Sequence, residues 1–187
     1  MRPELTREVE RLRNILLSHG LEFSLCEGAK PGEIAKVESE VEITFDADLR
    51  DFWQLTNGSD NETWFAVFSD ELTPCVFPSI EDARECWSWF LPYDESFYEE
   101  WSDVSVERDM RIQPKYVHHR LWFPIAEFNG YSTSVYFDGD PTGRGKYGQI
   151  IVYQHDPDDI YYVGESFMDF FKRSNDLLEA HAQELLL

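Results

Sequence analysis

Three stretches of the chain hold residue types whose spacing can support chemistry. The first is Gly143-Arg144-Gly145-Lys146-Tyr147-Gly148, which fits the GxGxxG pattern of phosphate-cradling loops. That use requires the motif to leave a strand and open a helix whose N-terminal amides hold the phosphate. Here a β-favouring run, Gln149-Ile150-Ile151-Val152-Tyr153, follows instead. The expected role is a hairpin loop in which the glycines permit positive φ. The second stretch overlaps the first: Asp138, Asp140 and Gly143 stand at the first, third and sixth positions of an EF-hand-like loop. Thr142 occupies the fifth position, and Gln149 the twelfth, where calcium needs a bidentate Glu. The expectation is therefore no metal and no cofactor, with Asp138 and Asp140 holding turn amides through their side-chain oxygens. The third is imidazole beside carboxylate: His155 with Asp156 and Asp158, and the His118-His119 pair. A carboxylate-oriented imidazole is the usual proton shuttle near neutral pH. No Ser or Cys lies in a recognisable nucleophile motif, and adjacent histidines on an extended chain point to opposite faces. Surface or hairpin-stabilising roles are expected for them, and no catalytic residue is assigned.

The elements that must position these residues run from Leu121 to Asp158. Two apolar runs, ending Ser134-Val135-Tyr136-Phe137 and Gln149-Ile150-Ile151-Val152-Tyr153, bracket the Gly-rich loop, and a third, Leu121 to Ile125, precedes the turn dipeptide Asn129-Gly130. This predicts a three-strand meander in the middle of a sheet. Upstream, Leu5, Val9, Leu12 and Leu16 recur at helical spacing before Gly20, predicting a helix over 4–19. Pro31 opens a second helix burying Ile34, Val37 and Val41; Asp46 or Asp48 caps a third, carrying Leu49, Phe52, Trp53 and Leu55, which Asn57-Gly58 stops. Thr63 to Phe68 and Cys75-Val76-Phe77 read as strands joined by a turn over 69–74. Ser79 with Asp82 opens a helix whose Ala83, Cys86, Trp87 and Phe90 share a face. Ser166 with Asp169 opens the last helix, burying Phe167, Phe170, Phe171, Leu177 and Leu178.

The order Trp122-Phe123-Pro124-Ile125-Ala126, Asp138-Gly139-Asp140-Pro141, Gly145, Gly148-Gln149-Ile150 and Ser166-Phe167 resembles the SUKH superfamily. This superfamily holds the fungal cell-wall-assembly regulators of the Smi-Knr type and their bacterial immunity-protein relatives. Ile34, Glu38, Ile43, Leu49, Phe52 and Asn57-Gly58 resemble its first motif, a helix pair ending in Asn-Gly. The resemblance runs roughly from Ala29 to Phe171 and departs from the family at Phe45-Asp46, where Leu-Pro is usual, and over 91–110, which matches nothing in the pattern. It implies that Trp122, Pro124, Asp138, Asp140, Pro141, Gly145, Gly148, Ser166 and Phe167 are structural. It also implies a non-enzymatic protein-binding role, either an immunity protein neutralising a toxin or a regulatory scaffold. The rival of a different class is a metal- or nucleotide-dependent enzyme module built on the 138–158 loop.

The 187 residues, 42% apolar and 16% aromatic, suit one domain, 1–187, with a sizeable core. With 16 Lys and Arg against 37 Asp and Glu the net charge is −21, which disfavours nucleic acid and anionic membranes and favours a basic protein partner. Three cysteines without CxxC spacing, and a charged N-terminus without an apolar core, predict a reduced cytoplasmic protein. The 91–110 stretch sets Asp94, Glu95, Glu99, Glu100, Asp103, Glu107 and Asp109 against Arg108, among Tyr93, Phe97, Tyr98 and Trp101. Aromatic anchors flanked by acids suit docking, so Tyr98, Glu99, Glu100, Trp101 and Asp103 are the expected partner-binding residues, the partner being a basic toxin domain on the immunity reading. The fold class expected is α+β, a twisted, mostly antiparallel sheet of about five or six strands with helices from both chain ends against it.

Overall fold

Six antiparallel strands lie side by side in chain order: β1 (Thr63–Phe68), β2 (Leu72–Val76), β3 (Trp122–Phe128), β4 (Thr133–Asp138), β5 (Gln149–Gln154) and β6 (Asp159–Gly164). The computed structural model describes residues 2–60, 62–69, 71–91, 109–114, 118–155 and 159–186. The expected meander is β3-β4-β5, in the middle of the sheet, in register Phe123↔Phe137 and Phe137↔Ile150. Asn129 and Gly130, at φ +51° and +66°, make its first turn. Two strand readings change. The β1–β2 turn is shorter than 69–74, because β2 begins at Leu72 and contains Pro74. Proline is tolerated there because β2 meets β3 only at Val76↔Glu127, so most of that edge carries no ladder. The strand β6 had not been singled out, although Ile160-Tyr161-Tyr162-Val163 has the β-favouring composition.

Among the described residues five helices form where the spacing predicts them: α1 (Pro3–Ser18), α2 (Pro31–Val41), α3 (Ala47–Leu55), α4 (Ile80–Phe90) and α5 (Phe167–Leu185). Their ends follow from single side chains. Ser79 accepts the amide of Asp82 at 3.1 Å and Ser166 that of Asp169 at 3.2 Å. The Phe45-Asp46 departure turns out to supply a cap: Asp46 Oδ1 accepts from the Leu49 amide at 2.8 Å, and its Oδ2 accepts from the Phe167 amide at 3.4 Å. One carboxylate thus serves the starts of both α3 and α5, where the positive ends of the two helix dipoles favour an anion.

The helices cover one face of the sheet. Leu5, Leu12 and Leu16 of α1, Ile34 of α2, Phe52 and Trp53 of α3, and Phe167, Phe170 and Phe171 of α5 close on Phe65, Phe123, Ile125, Val135, Phe137, Ile150 and Val152. Phe52 lies at the aromatic centre, its ring 4.8 Å from Phe77, 5.3 Å from Phe167 and 5.2 Å from Phe171. The opposite face is also dry: Trp122, Tyr136, Ile151, Tyr153 and Ile160 pack with Ile112 from the connection preceding β3. Burial on both faces explains why the central strands read as continuous apolar runs. Among the described residues no helix is long and apolar enough to cross a membrane.

Candidate functional site

Where β2 and β3 separate, a groove of about 420 Å³ opens, lined by the Asn57-Gly58 bend, the first turns of α4, and the turn after β3. Its frame is rigid. Asn57 Oδ1 accepts the Ile80 amide at 2.8 Å and its Nδ2 reaches Glu81 at 3.1 Å, which ties the bend to the start of α4. Gly58, at φ +105°, holds a backbone conformation that other residues rarely adopt, and a Cβ there would crowd the Ser79 nitrogen at 3.1 Å. The walls carry Asp60, Asp82, Glu85 and Glu127 with no Lys or Arg, and none of these carboxylates forms an ion pair among the described residues. The nearest cation of α4, Arg84, is held by Glu40 at 3.1 Å.

Two aromatic rings stand among these acids. Trp89 is 53% exposed and meets Tyr131 edge-on, with centroids 5.9 Å apart and planes at 86°. Tyr131 is fixed by its amide, which donates to Glu127 Oε2 at 3.0 Å, and it holds a left-handed φ of +70°. A larger hollow, about 560 Å³ between α1 and α5, is lined by cations as well as acids: Arg7 and Arg11, the latter paired with Asp176 and Glu179, stand beside Glu10, which pairs with Arg13. The acidic groove differs from it in carrying carboxylates, without Lys or Arg among its described lining residues, beside an exposed aromatic anchor. Sequence reading missed it. The available signal was Trp89, a large apolar residue off the buried Ala83-Cys86-Trp87 stripe of α4.

The Gly-rich loop is a different construction. Trp122, Asp138 and Gln149 stand abreast on β3, β4 and β5. The Trp122 indole donates to Asp138 Oδ1 at 2.9 Å, the Asp140 amide to the same oxygen at 2.8 Å, and Gln149 Nε2 to Oδ2 at 2.8 Å. Gln149 Nε2 also donates to the Arg111 carbonyl at 3.0 Å, so the loop grips the connection that covers the second sheet face. Burial pushes the Asp138 carboxyl up from its ordinary 3.8 to about 6, against the pull of the Asp140 amide, Gln149 and Trp122. Both Asp138 oxygens already have protein donors, which leaves the EF-hand-like loop without its first ligand. Among the described residues no group of three or more His, Cys, Asp or Glu is placed to hold a metal ion.

The GxGxxG segment opens β5, not a helix, and its amides are engaged: Gly145 with Thr142 O, Gly148 with Asp138 O and Lys146 with Gln149 Oε1. Of its glycines only Gly148 takes positive φ, +80°. Gly145 is required by close approach instead, since a Cβ would lie 2.6 Å from the Arg111 carbonyl and 2.7 Å from Pro141. The expected hairpin loop is thus present, with positive φ used at Gly148 and close packing at Gly145.

The remaining candidates lie apart. Pro124 sits at the β3 bulge, buried; Ser166 caps α5; Phe167 is buried at its start. His118 meets the Tyr136 hydroxyl at 3.3 Å and the Tyr153 ring at 4.5 Å, whereas His119 approaches Asp140 at 3.9 Å, so the pair diverges. His155 contacts the Tyr153 hydroxyl at 3.2 Å, while Asp156 and Asp158 lie outside the described residues. Cys75 and Cys86 are buried free thiols, and desolvation raises both, Cys86 to about 12, which keeps them protonated and poor nucleophiles. Tyr98, Glu99, Glu100, Trp101 and Asp103 also lie outside the described residues; Trp89 and Leu91 precede that stretch and Asp109 follows it.

The sequence matches the model of the SMI1 / KNR4 family (SUKH-1) over residues 28–173. It is similar to the cell wall biosynthesis/cell cycle regulator smi1 of Schizosaccharomyces pombe (strain 972 / ATCC 24843), with 28% identity over 153 residues, 78% of this chain and 30% of that protein. The chain therefore spans about 30% of the length of the curated relative it matches.

Proposed function

The chain belongs to the SMI1/KNR4 family, and from that premise we propose that it is a non-enzymatic protein-binding module whose partner presents a basic surface. The observation that carries the reading is the groove beside α4, where four carboxylates that form no ion pair among the described residues line the walls with an exposed tryptophan. Tryptophan and tyrosine anchor interfaces, and unmatched acids speed encounter with a basic partner. The stretch with Tyr98, Glu99, Glu100, Trp101 and Asp103 follows α4 in the sequence, and its acids and aromatics are proposed on their residue types alone to contribute to binding. The partner belongs with proteins of cell-wall or cell-cycle regulation, the role in the name of the S. pombe relative. The second reading is neutralisation of a basic toxin domain, favoured by the net charge of −21. In either role we place the protein in the cytoplasm, where its three thiols stay reduced.

The test is affinity capture with the intact chain, identification of the retained protein, and binding kinetics against it. Glu99→Lys with Glu100→Lys should slow association and flatten its salt dependence, because rim charges act on encounter. Trp101→Ala should speed dissociation. Parental rates in both folded variants would remove that stretch from the interface, and capture of no protein at all would sink the binding role.

A further inference from the structure

The groove's two rings and its unpaired acids fit one chemical group better than a general basic surface. We propose that it is an arginine clamp, in which one of the Trp89 and Tyr131 rings stacks a guanidinium from an extended basic segment and the other meets its N–H edge, while Glu127 and Glu85 accept its N–H groups. This rests on the protein-binding reading and names the chemistry of the contact. The rings stand at 86° with centroids 5.9 Å apart, so they form a corner with two π walls. A planar cation lying on a ring face is attracted by the ring quadrupole, and the fork of a guanidinium reaches a carboxylate in the same plane. Lysine, a strongly hydrated point charge, gains less from such a corner. Glu127 holds the Tyr131 amide with Oε2 and keeps Oε1 for a ligand.

The same chain contains an internal example of the arrangement. The Arg111 guanidinium lies 3.2 Å from the centre of the Tyr162 ring, and Asp109 accepts from its Nε at 2.8 Å and from its NH2 at 2.6 Å. Near Trp89 the same two kinds of group, aromatic ring and carboxylate, stand side by side. A groove of about 420 Å³ holds such a side chain with part of its backbone.

Fluorescently labelled alternating Arg-Ser and Lys-Ser peptides, titrated at matched ionic strength, test the assignment. The parent should bind the arginine peptide about tenfold more tightly than the lysine peptide. Trp89→Ala should abolish that preference, Trp89→Phe should keep most of it, and Glu184→Lys on α5 should leave it unchanged. Trp89 is half exposed, so the alanine variant should melt like the parent. Equal affinity for the two peptides, or a preference that survives Trp89→Ala, would overturn the clamp and leave only attraction by net charge. If a captured protein partner binds parent and Trp89→Ala alike, the clamp fails while protein binding stands. A Trp89-dependent arginine preference with no protein ever retained supports the clamp and refutes the protein-partner reading instead.

Discussion

Replacing Asp138 by Asn tests whether the row Trp122-Asp138-Gln149 is held by an acceptor that can ionise. The substitution keeps shape and leaves Oδ1 to take the Trp122 indole and the Asp140 amide. At the other position an amide NH2 would face Gln149 Nε2, donor against donor. Gln149 cannot turn over without loss, because its Oε1 accepts the Lys146 amide at 3.2 Å and its Nε2 serves the Arg111 carbonyl at 3.0 Å. Two buried donors left without an acceptor should cost about 1 to 3 kcal/mol. Against that stands a gain that depends on pH. The folded-state pKa is about 6 against an ordinary 3.8, so the folded state binds more protons than the unfolded one between those values. The stability this group contributes is complete below 3.8 and is lost as pH rises through 6. The loss amounts to about 3 kcal/mol in all, roughly half of it between pH 5 and pH 7.5. Asparagine does not titrate, and every other group is common to both proteins, so its titration cancels in the difference. Urea unfolding of parent and Asp138→Asn at the two pH values should show a deficit at pH 5 that shrinks by about 1 kcal/mol or more at pH 7.5. A deficit equal at both values would refute the argument that burial raises this carboxyl.

Other outcomes follow from the packing. Trp122→Ala removes a buried indole and the donor to Asp138, and should cost about 3 to 5 kcal/mol; thermal melting equal to the parent would contradict its core placement. Asp46→Ala should cost more than the ~1 kcal/mol usual for one cap, since α3 and α5 both lose an acceptor, and amide exchange should quicken at Leu49 and at Phe167 together. Gly145→Ala forces a methyl against the Arg111 carbonyl and should destabilise by about 1 to 3 kcal/mol, read by urea titration. The lost stability should come with weaker protection of residues 109–113.

Local chemistry was the most legible part of the sequence. Ser79, Asp46 and Ser166 act within three residues of themselves, and the β3-β4-β5 meander needs only short turns, so caps, helix starts and central strands could be read directly. The family resemblance likewise marked Trp122, Asp138 and Gly145, although not what they touch. The reasons for the glycines were hidden because the Arg111 carbonyl that excludes a side chain at Gly145 arrives from a distant connection. Pro74 masked a strand because its tolerance depends on the β3-facing edge of β2 carrying almost no ladder. The groove was invisible for the same reason. Asn57, Asp82 with Trp89, and Glu127 come from three segments, and each residue alone reads as an ordinary surface residue.

The single bridge at Val76↔Glu127 also bears on the order in which the molecule can assemble. It leaves the sheet as two nearly independent pieces, the β1–β2 hairpin and the β3–β6 ladder, with one pair of residues across the seam. The element that packs on β1 and β2 and also on β5 and β6 is α5. During synthesis the hairpin can form early and the ladder later, each from local contacts. Before residues 167–185 have left the ribosome they are joined by that bridge and by the packing of α3 and α4, and a nascent chain stalled there leaves uncovered the apolar surface that α5 buries.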